Sequence, residues 1–489
     1  MKHFLLCTAK HTLKALGYGI AGGVAVMIVV FVLQLERRPD LKVWHTAELN
    51  AEFTADGAKS FEDYLTFEAR LFKQLDERVY DRIEPEDRRL INRYHRGSLS
   101  DPDRWSPNWN RTFELSEKGP KAGILLLHGM SDSPYSLRSL GLRLHASGAW
   151  VVGLRLPGHG TAPSGLVSAK WQDMAAAVRL SMEHLRDKVG DRPLYIVGYS
   201  NGGALAVHYA ISALEDNALP SVDGMVLVSP AIGVTPLAAF AVWQARLGRL
   251  LGLQKLAWTD ILPEYDPFKY GSFAVNAGDQ VYRLTGEIQS KMKTLGVEGK
   301  LEGFPPVLAF QSAVDATVST RSLIDGLFGQ LPAGGHELVI FDINRISEIA
   351  QMFGQDPKEN IEAGLHDTDL GFTISFVTNK SEKSRRVVVR KKRPGDSEIA
   401  EISTGLMWPK GLYSLSHVAL PISPNDPLYG GPNAGNSPGI KLGDITLRGE
   451  RGVLQIPASA MLRLRWNPFY PYMERRLLEF VRLAGSGRE

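Results

Sequence analysis

The sequence predicts an α/β chain whose central sheet is mostly parallel and covered by helices on both faces, with a helical lid insertion and a second insertion further on. One observation behind this is the alternation, over residues 116–230, of short apolar runs with longer stretches of helical periodicity. Runs such as AGILLL and PLYIV lack the polar-apolar alternation of a half-exposed strand, so they suit strands buried on both faces. The other is the phrase Gly198-Tyr199-Ser200-Asn201-Gly202-Gly203, which follows PLYIV where a strand should turn into a helix. Small residues on both sides of the serine permit a very sharp turn that holds its hydroxyl up and exposed.

Bulk properties narrow the field. A length of 489 residues accommodates two or three domains, or one large α/β domain with insertions. Apolar content of 44% and charged content of 22% exclude global disorder. Lys and Arg number 56 against 53 Asp and Glu, so no domain-wide basic footprint for nucleic acid is present. Cys7 is the one cysteine, which rules out an intrachain disulfide and a cysteine-rich metal site.

The N-terminal segment 1–15 carries Lys2, Lys10 and Lys14 and no acid, and precedes an uncharged apolar stretch over 16–35. As a helix that stretch is long enough for a hydrocarbon core of roughly 30 Å. The flanking charges favour a single-pass anchor with residues 1–15 in the cytoplasm and the rest on the far side. A cleaved signal peptide is the competing reading, set back by the lack of a clear small-x-small site after Val32. Over 36–115 the sequence predicts a linker to residue 59, then a helix capped by Ser60 and Asp63 with Phe61, Tyr64, Leu65, Phe72, Leu75 and Val79 at helical spacing.

The core's first part, 116–230, reads as three strand-helix pairs closing on a fourth strand, VDGMVLVSP. At Pro230 the rhythm breaks, and 231–304 reads as a lid: an apolar helical portion, the loop LPEYDPFKYGSF, and a helix about 279–295. The core resumes over 305–345 with FPPVLAFQSAVD, a helix and the strand HELVIFDI. A second inserted subdomain spans 346–409, with strands in GFTISFVTN and SRRVVVRKK; the basic run 385–393 reads as a solvated strand edge. The C-terminal part, 410–489, holds a histidine loop, a strand-like GVLQI and a closing helix near PYMERRLLEFV.

A nucleophilic Ser200 needs a base and an orienting acid, in the chain order serine, acid, histidine for this architecture. Asp315 lies just beyond the strand VLAF, and His417 lies in the loop-like LYSLSHVALP, so Ser200, Asp315 and His417 have the required order. Asp342, at the end of the next strand, competes with Asp315; His336 and His366 compete with His417. Backbone amides of Met130 and Asn201 are the expected oxyanion donors, with Gly129, Gly198 and Gly202 supporting the turns. His128 is expected to be a structural hydrogen-bonding group beneath that loop, and His159 to order its own loop.

Together LLLHGMSDSPYS, LRLPGHG, GYSNGG, SAVDATVS and SHVAL resemble the α/β-hydrolase superfamily, nearest its monoacylglycerol lipase, esterase and serine aminopeptidase branch. The resemblance covers roughly 120–345 plus the neighbourhood of His417. It implies these phrases are an oxyanion loop, a strand turn, a nucleophile elbow, an acid loop and a histidine loop. Two departures stand out: His417 follows Asp315 by 102 residues where a few tens are usual, and Asn201 follows the nucleophile. Because Asn201 is asked only for its amide, the second departure leaves the mechanism intact.

The expected activity is hydrolysis of a carboxylic ester, lipid or small, through an acyl-enzyme, with no cofactor and no metal needed. The expected partners are the acyl ester and, through the anchor, a membrane. The apolar run AFAVWQARLGRLLGLQKLAW suggests an acyl pocket or a lid able to approach a bilayer. Two alternatives stand beside it. One is a peptidase or amidase that binds a free amino terminus through Glu264 or Asp266. The other is a membrane-tethered interaction protein without catalysis.

Overall fold

The computed structural model describes residues 16–20, 22–23, 26, 29–30, 33, 35–233, 253–346, 365–366, 370–443 and 463–484. Segment 1–15, residues 239–252 of the apolar lid run, most of 347–369 and the expected strand GVLQI lie outside the described residues.

The sheet runs in the order β1-β3-β2-β4-β5-β6-β7-β8-β9-β10. Its strands are β1 (Phe113–Leu115), β2 (Ala122–Leu127), β3 (Ala149–Leu154), β4 (Leu194–Tyr199), β5 (Gly224–Val228), β6 (Val307–Ser312), β7 (Glu337–Phe341), β8 (Thr373–Ser381), β9 (Ser384–Lys392) and β10 (Ala400–Met407). Pairing is parallel from β3 through β8 and antiparallel at the two margins, β1 with β3 and β8-β9-β10. Every residue of β2, β4, β5, β6 and β7 is buried, as continuous apolar runs require when both faces are covered. Among the helices covering the two faces are α2 (Arg138–Ala146), α3 (Trp171–Val189), α4 (Asn201–Glu215) and the closing α6 (Tyr470–Phe480), which leave one apolar cluster on each side of the sheet.

Ahead of the sheet, α1 (Phe61–Arg78) starts with the expected capping box: Ser60 Oγ accepts the Asp63 amide and the Asp63 carboxylate accepts the Ser60 amide, both at 3.1 Å. Of its buried stripe, Phe61 and Tyr64 pack into the α/β core, while Phe72 and Leu75 join Trp44 and Tyr94 in a separate apolar cluster. Glu68 is buried in the same stripe because Arg155, fully buried in the LRLPGHG loop, reaches it at 3.1 Å. Glu52 binds the other side of that guanidinium at 2.8 Å. Hence part of the expected linker 36–59 is docked chain: Trp44 and Phe53 are buried, and Arg38 donates to the carbonyls of Trp258 and Thr259 at 2.7 Å.

The membrane anchor expected over 16–35 is corrected. Among the described residues no helix is long and apolar enough to cross a membrane. Described positions there, such as Leu16–Ile20, are helical, but the described helical runs fall short of the about 20 residues a hydrocarbon core requires. The single-pass placement, the far-side location of the main domain and the membrane as partner go with the anchor.

Two insertions frame the C-terminal rim of the sheet. In the lid region a two-stranded ribbon, Trp258–Asp260 with Phe273–Ala274, leads into α5 (Val275–Val297), four residues longer at its start than the sequence predicts. The described part of the second insertion extends the sheet itself as β8, β9 and β10. The basic run therefore is no strand edge: β9 lies between β8 and β10, its Val387, Val388 and Val389 are buried, and Lys391 pairs with Glu337 at 3.1 Å. Three consecutive buried valines, with Lys391 on the Glu337 carboxylate and Arg385 on the Trp408 carbonyl, let so basic a strand sit inside a sheet.

Candidate active site

Strand β4 ends at Tyr199, and Ser200 turns the chain into α4 with φ 52° and ψ −116°. A left-handed φ is costly for a residue with a Cβ, and the surroundings must hold it. They do so through the Ser200 amide, which donates to the Val228 carbonyl, and the Ser200 carbonyl, which accepts from Ala231, each at 3.0 Å. The turn also needs its glycines. A Cβ on Gly198 would stand 2.5 Å from the Gly202 oxygen, and one on Gly202 would stand 2.1 Å from the Leu127 oxygen. Ser200 itself remains half-buried.

Asp315 follows the C-terminal end of β6, and its Oδ2 lies 2.8 Å from His417 Nδ1. Oδ1 accepts the amides of Thr317 at 2.8 Å and Val318 at 3.0 Å, while Gln311 donates to Oδ2 at 3.2 Å. Burial alone would raise this carboxyl, but the hydrogen bond and charge of His417 and the two amides outweigh it and hold the group below the ordinary carboxylate range. With its Nδ1 proton given to Asp315, a neutral His417 keeps a free lone pair on Nε2, the form a general base requires. The His417 ring lies 5.2 Å from that of Tyr199, whose hydroxyl donates to the His417 carbonyl at 3.4 Å. His417 thus sits against the residue preceding Ser200.

The competing residues are engaged elsewhere. Asp342 is 1% exposed and holds Arg345 through both oxygens at 2.7 and 2.8 Å, with Thr378 donating at 2.6 Å. His336 precedes β7 at the opposite end of the sheet and accepts the Val307 amide at 3.2 Å. His366 is exposed.

Gly129 packs directly on the elbow: a Cβ there would lie 3.2 Å from Ser200 Cβ and 3.0 Å from the Tyr199 ring. Met130 follows it, half-buried over the core, and the Asn201 amide is among the first of α4, which have no intrahelical acceptor. His128 accepts the Leu156 amide on Nε2 at 3.0 Å, so its Nδ1 proton faces the Gly129 carbonyl at 2.8 Å. Burial lowers its pKa to about 3, so the ring stays neutral and fixes the loop. His159 is likewise buried, lowered to about 3, with Nδ1 3.0 Å from the Pro157 carbonyl.

A cavity of about 390 Å³ opens beside these residues, its wall including Ser131, Tyr199 and Val418, the chain neighbours of Met130, Ser200 and His417. The loop LPEYDPFKYGSF forms much of the opposite wall. Tyr270 donates its amide to Ser131 at 2.8 Å, and Phe268 stacks on Tyr135 with centroids 4.1 Å apart. Lys269, Arg463 and Arg465 bring cations into this cavity, which the sequence reading missed. The one available signal was a lysine set among aromatics in FKYGSF. Asp266 lines the cavity, but it accepts the Phe268 and Lys269 amides and the Tyr429 hydroxyl; Glu264 accepts the Gly271 and Ser272 amides. Among the described residues no group of three or more His, Cys, Asp or Glu side chains is arranged to hold a metal ion.

Residues 118–341 match the family model described as serine aminopeptidase, S33. The thermostable monoacylglycerol lipase of Bacillus sp. (strain H-257) is 29% identical over 136 residues, 28% of this chain and 51% of the relative. The chain thus spans about half the length of that curated relative. Among solved structures, that reported for LipS and LipT, two metagenome-derived lipolytic enzymes, superposes with TM-score 0.38 at 18% identity, covering 52% of this chain and 97% of the other. Monoacylglycerol lipase of Paleococcus ferrophilus gives TM-score 0.35 at 19% identity, covering 47% and 87%.

Proposed function

From the premise that the chain belongs to the α/β-hydrolase superfamily, we propose that it is a serine hydrolase of carboxylic esters, with Ser200 as nucleophile, His417 as general base and Asp315 as its orienting acid. The observation that carries this reading is the 2.8 Å contact between His417 Nδ1 and Asp315, made at the strand rim beside a serine held in a strained turn. In this scheme His417 Nε2 takes the Ser200 proton as the oxygen attacks the ester carbonyl. The amides of Met130 and Asn201 meet the developing oxyanion, where one such donor is worth on the order of 3 kcal/mol. His417 then protonates the leaving alcohol, and water repeats the sequence on the acyl-enzyme.

A peptidase reading calls for a free carboxylate to bind an amino terminus. Glu264 and Asp266 are the residues it would use; Glu264 gives both oxygens to backbone amides, and Asp266 gives Oδ1 to two amides and Tyr429 while its Oδ2 faces Arg465 at 3.9 Å, which favours the ester. The test is labelling with a fluorophosphonate probe together with hydrolysis of p-nitrophenyl butyrate. Wild type should react in both, Ser200→Ala in neither; a folded wild type inert in both assays overturns the proposal.

A further inference from the structure

We propose that the cavity beside Ser200 is an anion-recognition subsite, in which Lys269 and Arg463 select esters that carry a second, oxyanionic group, carboxylate or phosphate. The inference rests on the ester-hydrolase reading and names the substrate class for that site. At about 390 Å³ the cavity falls in the range of small-molecule sites, and its wall begins at the neighbours of the reacting residues.

Three acids, Asp132, Asp260 and Asp266, share the wall with three cations, Lys269, Arg463 and Arg465, and the acids are engaged with protein groups. Asp266 is offset by Arg465, 3.9 Å from Oδ2, and its Oδ1 accepts two amides and the Tyr429 hydroxyl. Asp132 is buried, and its carboxylate is filled by the Ser133 amide at 2.9 Å and the Ser136 hydroxyl at 2.6 Å. Asp260 is an exposed residue of the ribbon, in the electrostatic reach of Arg38. Lys269 and Arg463, by contrast, have no carboxylate within ion-pair distance among the described residues, and the charge of Lys269 acts on Asp132 and Asp266 from farther off. Both cations act on the residue before Ser200: Lys269 Nζ lies 5.9 Å from the Tyr199 ring centroid, and the charge of Arg463 reaches the Tyr199 phenol.

The backbone that carries Lys269 is also held in place before any ligand arrives. Its own amide donates to Asp266 at 3.1 Å, and its neighbours are pinned, Phe268 on Tyr135 and Tyr270 on the Ser131 carbonyl. A cation carried on a fixed backbone in a half-buried wall discriminates for an oxyanion, because a neutral ligand leaves it without a partner.

The test compares kcat/KM for p-nitrophenyl hemiglutarate, a p-nitrophenyl ester bearing a phosphate, and neutral p-nitrophenyl pentanoate. Wild type should favour at least one anionic ester by roughly ten- to hundredfold, the value of a charge-assisted contact. The two anionic arms tell which oxyanion is preferred. Lys269→Gln should cut the anionic-to-neutral ratio about tenfold, Lys269→Arg should retain it, and Lys269→Glu should invert it. Because each ratio is internal to one variant, losses of folded protein cancel. A wild type that hydrolyses the neutral ester without anionic preference, or a ratio unmoved in Lys269→Glu, overturns the subsite and leaves the hydrolase reading standing. Failure to hydrolyse any ester, with no fluorophosphonate labelling, overturns both.

Discussion

Replacing Asp315 by Asn separates the orienting role of this carboxylate from its packing. In the folded protein Oδ1 accepts two amides and Oδ2 accepts His417 and Gln311. An asparagine that keeps its oxygen on the Thr317 and Val318 amides must turn its NH2 toward His417 Nδ1 and Gln311 Nε2. His417 then accepts on Nδ1 and carries its proton on Nε2, the nitrogen that should be free to take a proton from Ser200. The opposite flip sets the NH2 against two amide donors instead. Either way one or two buried donors lose a partner, at about 1–3 kcal/mol of stability. The wrong tautomer should cost far more in catalysis, on the order of 10⁴ in kcat, equivalent to ~5.5 kcal/mol of barrier. The assay is p-nitrophenyl butyrate hydrolysis alongside urea unfolding. The folded-state pKa of Asp315 lies below its unfolded value, so its contribution is present above about pH 4 and is lost as pH falls through the depressed folded value. The stability gap between wild type and variant should accordingly narrow in acid. A folded Asp315→Asn enzyme that keeps more than about a tenth of wild-type kcat would refute the orienting role.

Gly202→Ala puts a methyl 2.1 Å from the Leu127 oxygen, so the elbow must move; stability should fall by about 1–3 kcal/mol and fluorophosphonate labelling of Ser200 should drop, and an unchanged melt with full labelling contradicts the close-approach argument. Arg155→Met strands Glu52 and the buried Glu68 around an apolar side chain, and should cost about 3–5 kcal/mol in urea unfolding; an unmoved midpoint means the pair is not structurally coupled. His45 is buried against Ser272 with its pKa lowered to about 3, chiefly by desolvation. The unfolded chain therefore binds the extra proton between about pH 6.5 and 3, and stability falls as pH is lowered through that window. His45→Gln should flatten the slope of unfolding free energy against pH by up to about 1.4 kcal/mol per unit; parallel slopes for both proteins would show that the ring is not held neutral.

Much of this site was legible in the linear sequence because its parts are local. GYSNGG encodes its own turn: the strand before it, the glycines and the helix after it are contiguous, and the clashes at Gly198 and Gly202 are with the elbow and the adjacent strand end. The capping box of α1 and the continuous apolar runs of β2, β4 and β5 are similarly short-range signals. Asp315 and His417 were readable as candidates from chain order, yet their competitors could not be set aside without contacts. What removed Asp342 is an arginine three residues on and a threonine from a neighbouring strand, a combination no spacing rule announces.

By itself, then, the sequence determined the alternating α/β architecture, the strained serine turn and the order of the three candidate residues, because each follows from local periodicity, steric size or chain order. Tertiary structure decided which acid meets which histidine across 102 residues, and that the second insertion lengthens the sheet instead of standing apart. It also withdrew the anchor and docked the residues after it onto the core through Trp44, Phe53 and the Glu52–Arg155 pair. The cations of the cavity belong to the same class of facts. Lys269 and Arg463 are nearly two hundred positions apart, and only the packing of a lid loop and a C-terminal segment against the same rim places both charges beside Tyr199.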